Sequence, residues 1–137
     1  MKKHNAILII VILAILTVLI TTIYYSYWKV ISVTRYDVKL SIGDRIGFDL
    51  GSQVISFGTM LPGSESPRKI DIVNSLNIPI KVVIKHTGNT TKFVYPERNN
   101  FLVQPDTSEQ LTFVARIPRN ESYGNYTGTV IIRVLRA

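Results

Sequence analysis

The sequence predicts an all-β domain, an antiparallel sandwich of seven to eight strands, behind one N-terminal transmembrane helix. Two observations support this prediction. Residues 6–23 are an apolar run without a charged side chain, which is typical of a membrane span. Much of the remaining chain alternates apolar and polar residues with a period of two, as in strands that bury one face. The 137 residues leave room for one such domain, and because the chain has no cysteine it must be stable without disulfides.

The transmembrane helix is expected over residues 6–28, after a short cytoplasmic tail of residues 1–5. A helix of that length rises roughly 35 Å at about 1.5 Å per residue, enough to cross a hydrocarbon core of about 30 Å. Its three threonine hydroxyls can bond back to the preceding turn. Aromatic residues suited to a membrane–water boundary follow the run: Tyr24, Tyr25, Tyr27 and Trp28. The lipid bilayer is therefore the first predicted partner.

A cleavable secretory signal is the alternative for this segment, because Lys2 and Lys3 form a basic start before the apolar run. A signal peptidase needs small side chains after the run, where this chain has Ile23 and Tyr24. We therefore favour an uncleaved signal-anchor.

The predicted orientation in the cell membrane has the N-terminus inside and residues 29–137 outside. Basic residues flank both ends of the apolar run, so charge alone does not decide the orientation, but long domains translocate largely regardless of flanking charge. Asn89, Asn120 and Asn125 each begin an Asn-x-Ser/Thr motif, a mild excess over chance that favours a glycosylated outer surface. The sequence thus predicts a single-pass glycoprotein.

Strands are expected wherever apolar residues recur at every second position. The alternating apolar residues fall in five stretches: Tyr36, Val38, Leu40 and Ile42; Ile70 and Ile72; Ile80, Val82 and Ile84; Leu111, Phe113 and Ala115; and Val130, Ile132 and Val134. Turn signals such as Gly43-Asp44, Gly51-Ser52 and Pro62-Gly63 separate them. No amphipathic helical pattern follows Trp28, so the pattern predicts two packed sheets of the broader immunoglobulin-like architecture.

Two phrases resemble sandwich domains related to the major sperm protein and PapD group, as in membrane-anchored surface proteins of archaea. The first phrase is ISFGTMLPGS at residues 55–64, followed by RKIDIVN at residues 68–74. The second comprises Pro118, Gly124, Tyr126 and Gly128. The resemblance covers residues 54–134, implies the fold, and carries no catalytic residue. In such corners we expect Gly58, Gly63 and Pro62 to build turns, and Tyr126 to bury its ring while its hydroxyl bonds to backbone.

The ionisable residues do not gather into a predicted catalytic or metal site. His86 has no acidic neighbour within ten residues, so it is predicted to be a surface histidine at a strand end rather than a metal ligand. Carboxylates stand singly at predicted turns: Asp44, Asp49, Glu97, Asp106, Glu109 and Glu121. The net charge of +7 is interspersed with acidic residues, which disfavours nucleic-acid binding. We expect no enzyme activity, cofactor or small-molecule substrate.

Two segments are candidate contact surfaces for a protein partner. The strand of Tyr36, Val38, Leu40 and Ile42 is a possible sheet edge that could pair with an extended segment; the alternative is that it pairs within its own sandwich. The loop over residues 119–125 contains Tyr123 and two acceptor motifs, and glycans there would block contact.

The predicted function is a single-pass, membrane-anchored cell-surface protein with a noncatalytic interaction or scaffolding module, in an archaeal-type envelope. One alternative is a pilin-like or stator component of an archaeal surface filament. Another is an accessory subunit of a membrane complex.

Overall fold

A computed structural model describes residues 2–44 and 54–137 of the chain. One long helix is followed by eight strands and one 3₁₀ turn. Their bounds are α1 (Lys2–Lys29), β1 (Val30–Ile42), β2 (Val54–Met60), β3 (Glu65–Asn74), β4 (Ile80–Gly88), the 3₁₀ turn (Asn89–Lys92), β5 (Val94–Pro96), β6 (Phe101–Val103), β7 (Thr107–Arg116) and β8 (Gly124–Arg136). Asp49 and the Gly51-Ser52 turn signal lie outside the described residues.

Helix α1 is apolar on every side. Its mean hydropathy reaches 3.1, and none of the window that gives this value is buried in the fold. The hydroxyls of Thr17, Thr21 and Thr22 each donate a hydrogen bond to the carbonyl four residues earlier, which satisfies the polar groups inside the helix. The helix begins at Lys2 and ends at Lys29, so it extends past both ends of the predicted span and includes residues 2–5 of the expected tail.

The eight strands form two sheets, which confirms the predicted sandwich behind an apolar helix. One sheet has five strands in the order β2-β1-β8-β4-β6, and the other has three in the order β3-β7-β5. The pairs are antiparallel except β1 and β2, which run parallel over Asp37↔Val54 to Ile42↔Met60. A parallel pair cannot be joined by a tight hairpin, so the Gly43-Asp44 signal marks the end of β1 rather than a hairpin turn.

The core fills the space between the sheets with the alternating residues that the sequence indicates. Val38, Leu111 and Phe113 are completely buried, and Val82 and Val130 lie against them in the same cluster. Interdigitated aliphatic and aromatic side chains from two sheets form one apolar layer, and this layer stabilises the domain without sulfur.

The paired strand ends define two ends of the sandwich. The proximal end, next to α1, contains the start of β1, the end of β8 and the start of β4, because Val30 pairs with Leu135 and Ile80 pairs with Arg136. Residues 75–79, which connect β3 to β4, lie at the same end. The distal end contains the end of β1 and the start of β8, since Ile42 pairs with Gly124, together with the end of β4.

Turn chemistry at the distal end agrees with the sequence prediction. Gly58 and Gly63 adopt φ angles of 65° and 81°, a region open to glycine and restricted for other residues. The amide of Gly63 donates to the carbonyl of Ile117 at 3.0 Å, and the amide of Ser64 donates to Leu61 at 3.1 Å. The Pro62-Gly63 turn therefore carries the chain from β2 in one sheet to β3 in the other.

Candidate functional site

The strand predicted as a possible sheet edge is an interior strand over the residues concerned. From Asp37 to Ile42, β1 pairs with β2 on one side and with β8 on the other. Val38, Leu40 and Ile42 are buried, and Tyr36 is half-buried against the core. The edge-strand interpretation is therefore wrong from Asp37 to Ile42, where β1 lies between β2 and β8. Among the described residues, Tyr36 pairs with Val130 of β8 alone. The physical reason is that alternation reveals which face of a strand is buried but not how many neighbours the strand has.

A different strand, β3, forms a long edge of the three-stranded sheet. It pairs with β7 from Glu65↔Arg116 to Asn74↔Thr107 and has no other partner among the described residues. Pro67, Lys69 and Asp71 are exposed along it. Proline and charged side chains oppose the addition of a further strand, so this edge is protected against β-pairing.

A cleft of about 350 Å³ opens between β1 and β3. Its walls are mainly apolar and include Ile31, Tyr36, Ile70, Ile132 and Val134. Among the described residues that line it, Asp71 is the one ionisable group apart from the Tyr36 phenol. General acid–base chemistry at neutral pH needs groups with suitable pKa values in mutual reach, and the described lining of this cleft brings no second carboxylate or histidine to Asp71.

His86 is not the surface histidine that the sequence suggested. Its ring is half-buried, with Nδ1 at 3.2 Å from the carbonyl oxygen of Val94 and Nε2 at 2.9 Å from the hydroxyl of Thr90. Since a carbonyl only accepts, Nδ1 donates to Val94, and Nε2 accepts from Thr90. Burial lowers the pKa of His86, and the bond to Val94 opposes that shift. Both ring nitrogens serve the fold, and no group of three metal-ligating side chains occurs in the described parts of the chain.

Two of the acidic side chains form ion pairs on the surface of the sandwich. Glu109 Oε2 lies 2.6 Å from Arg98 Nη2, and Glu65 Oε2 lies 2.9 Å from Arg116 Nε. Both ion pairs are solvent-exposed, so water and salt screen them and they contribute little to stability.

The Tyr126 corner has the geometry that the sequence predicts. The Tyr126 ring meets Phe93 edge to face, with 4.9 Å between ring centroids, and the ring packs against the buried core. Its hydroxyl donates to the carbonyl of Ser122 at 3.2 Å. This bond joins the start of β8 to the preceding loop and confirms the structural role of Tyr126.

The three asparagines predicted as glycosylation acceptors lie at the distal end, and all are exposed. Asn89 opens the 3₁₀ turn that follows β4, Asn120 lies in the loop before β8, and Asn125 is the second residue of β8. The hydroxyl of Ser41 donates to Asn125 Oδ1 at 2.7 Å, which leaves the side-chain nitrogen of Asn125 as the atom free to carry a glycan. The exposed ring of Tyr123 is at the same end.

The aromatic boundary, which is the cluster of Tyr24, Tyr25, Tyr27 and Trp28 at the end of α1, contacts the proximal end of the sandwich. Tyr24 and Trp28 meet edge to face at 5.4 Å between centroids. Lys29 Nζ lies 5.8 Å from the Tyr25 ring centroid, and Arg136 Cζ lies 5.8 Å from that of Trp28. Cations at that distance are attracted by the ring face, so Arg136, from the end of β8, joins the sandwich to the end of α1. The sequence reading missed this role of Arg136.

A second role missed at the proximal end belongs to Asn74, which is 2% exposed. Its Nδ2 donates to the carbonyls of Ile78, Val103 and Gln104 at 2.9, 3.1 and 3.0 Å, and its Oδ1 accepts from the amide of Leu76 at 3.1 Å. Asn74 therefore fixes the shape of residues 75–79 and ties them to the end of β6. The position of this asparagine at the end of a strand was the available sequence signal.

Comparisons with known proteins assign no family to the chain. No family model matches the sequence, and no curated protein sequence matches it. Among solved structures, a chain described as "DaaE adhesin" aligns with 75% of this chain and 96% of its own length, at 9% identity and a TM-score of 0.38. A likeness at that level supports no conclusion about function.

Proposed function

We propose that the chain is a single-pass membrane protein whose β-sandwich lies outside the cell as a noncatalytic interaction or scaffolding module. The observation that carries this proposal is the exposure of α1. Apolar side chains such as Ile7 and Val18 are more than half exposed on all sides of the helix, and none of the described residues of the sandwich covers them. Soluble monomers rarely expose an apolar surface of this size, whereas a bilayer covers it completely.

The outward orientation is supported by the three acceptor motifs, whose asparagines are all exposed. The aromatic boundary touches the proximal end, while Asn89, Asn120 and Asn125 are exposed at the distal end. Acceptors placed away from the membrane are accessible to a glycosylating enzyme. With glycans there, we propose that a protein partner contacts the sides of the sandwich rather than the glycosylated loops.

Single-cysteine labelling tests both anchoring and orientation, because the natural chain has no cysteine. A membrane-impermeant maleimide on intact cells is expected to label Tyr123→Cys and to label Lys3→Cys only after lysis. The reverse pattern would show the opposite orientation. Recovery of the full chain in the soluble fraction would refute membrane anchoring.

Crosslinking in intact cells, followed by mass spectrometry, tests the partner. An interaction module is expected to crosslink through its sides to one other protein. Crosslinks between many copies of this chain in a regular pattern would instead support the filament alternative, and co-purification of a stable partner in detergent would support the accessory-subunit alternative.

We also propose a relationship to the major sperm protein and PapD group. Support comes from the positive φ angles of Gly58 and Gly63, the buried Asn74 at the end of β3, and the Tyr126 corner. An experimentally determined structure of a member carrying both phrases tests it: the same strand order is expected, and a different order would refute it.

A further inference from the structure

The proximal end has no linker between α1 and the sandwich. Helix α1 ends at Lys29 and β1 begins at Val30. A strand rises about 3.3 Å per residue, and each headgroup layer of a bilayer is roughly 5–7 Å thick. Because the aromatic residues at the end of α1 suit the headgroup level and Val30 follows Lys29 directly, the sandwich begins at or just beyond the headgroup layer of a membrane that α1 crosses.

Exposed aliphatic residues of the sandwich concentrate at this end. Those at the proximal end are Val30, Ile31, Val33, Val73, Leu76, Ile78 and Leu102. Leu61 is the exposed large aliphatic residue at the distal end in the described part of the chain. Since isolated exposed aliphatic residues are ordinary but clustered ones mark contact surfaces, the proximal end has the composition of an interface.

Leu76 and Ile78 lie on the connection between the sheets, whereas the more exposed Val73 and Leu102 lie on strands. Leu76 and Ile78 are 37% and 39% exposed although the backbone around them is fixed by Asn74. The amide of Ala137 donates to the carbonyl of Pro79 at 3.2 Å, which places this connection level with the end of β8. The two side chains are thus held rigidly near the plane where α1 ends.

The charges at the boundary suit a lipid surface. Lys29 and Arg136 lie beside the aromatic rings at the end of α1, and basic residues next to interfacial aromatics are favoured at headgroup level. Two exposed acidic residues lie nearby: Asp106, in the turn between β6 and β7, and Asp71, which lines the same cleft as Ile31 and Leu76. The surface is continuous with the aromatic boundary, so its natural occupant is the bilayer that α1 spans.

We infer that the proximal end is a bilayer-docking surface, on which Leu76 and Ile78 enter the headgroup layer and hold the sandwich in one orientation above the membrane. This inference rests on the proposed membrane anchoring of α1. It adds a second attachment point, because a helix alone fixes the height of the domain but leaves its tilt free. Burying each of these side chains in the interface is favourable, in proportion to the apolar area removed from water.

Spin labels on the full chain in nanodiscs of phosphatidylcholine and phosphatidylglycerol test the inference. Nitroxides are placed singly at Val18→Cys, Ile78→Cys and Tyr123→Cys, and their collisions with oxygen and with a water-soluble nickel complex are measured. The Ile78 label is expected to lose most of its nickel collisions relative to the Tyr123 label. Equal nickel collisions at both positions, with a lipid-buried Val18 label, would overturn the docking surface alone. A water-exposed Val18 label would overturn the anchor itself.

Energy transfer from a dye at Tyr123→Cys to acceptors in the lipid headgroups gives a second measurement. The double variant Leu76→Ser/Ile78→Ser is expected to broaden the distribution of dye-to-membrane distances, because the domain gains freedom to tilt. Leu61→Ser is the matched control, since Leu61 is 38% exposed but lies at the distal end. An unchanged distribution in the double variant would contradict the inference. Circular dichroism confirms that each variant is folded.

Discussion

Asn74 provides the most quantitative test of how the proximal end is built. Replacing it with alanine removes one acceptor bond and the donors that serve three carbonyls. An amide nitrogen has two hydrogens, so about three full-strength bonds are lost, each with a net contribution of about 1 kcal/mol. The Val103 carbonyl is also left buried without this donor. We therefore expect Asn74→Ala to lower the free energy of unfolding by about 3–4 kcal/mol.

Thermal unfolding in detergent, followed by the strand signal in circular dichroism, measures this loss. A change of that size corresponds to a fall in the melting temperature of roughly 10–20 °C for a domain of about 100 residues. Asn77→Ala is the control, because Asn77 lies in the same connection but is exposed; it is expected to change stability by less than about 0.5 kcal/mol. If both variants melted alike, or if Asn74→Ala lost less than about 1 kcal/mol, the argument from buried hydrogen bonds would be refuted.

Three further predictions use the same unfolding assay. Gly128→Ala should destabilise the domain by about 1–3 kcal/mol, because the new Cβ would lie 2.6 Å from the Thr87 carbonyl oxygen. Gly124→Ala is the control: its Cβ would have no contact under 3.6 Å, so the stability of the domain should change little. Folding lowers the pKa of His86 below 6.5, so the folded state binds fewer protons than the unfolded state and the stability of the domain should fall as the pH drops below about 6.5. A His86→Gln variant that showed the same fall would exclude this cause. Tyr126→Phe removes the hydrogen bond to Ser122 and should lower the free energy of unfolding by about 0.5–1.5 kcal/mol. An unchanged melting temperature would contradict the stabilising role of this hydrogen bond.

The local features of this fold could be predicted from the sequence, because they depend on residues close together in the chain. The apolar run predicts α1, and the alternation over residues 36–42 predicts the buried face of β1. The first half of β1 shows no regular apolar–polar alternation in its sequence and was not predicted. Residues 30–35 are exposed and pair with β8, so no buried face imposes the alternation. Strands β5 and β6 have three residues each, too few to show a period.

Features that depend on distant residues could not be predicted in this way. The position of β1 between β2 and β8 is a matter of strand order, which alternation does not encode. Two of the carbonyls that Asn74 binds lie 29 and 30 residues away. Likewise, the burial of His86 depends on β5 folding over it, since its Nδ1 partner is Val94 in that strand.

The antiparallel pairing of β1 with β8 has a mechanical consequence. Tension between the membrane and an object held at the distal loops enters β1 at Val30 and β8 at Gly124, at opposite ends of a ladder that runs from Val30↔Leu135 to Ile42↔Gly124. The backbone bonds of such a ladder lie perpendicular to the strands, so this pull shears them all at once rather than unzipping them one by one. The domain is thus built to resist traction along its long axis and to yield more readily to a sideways pull on one strand end.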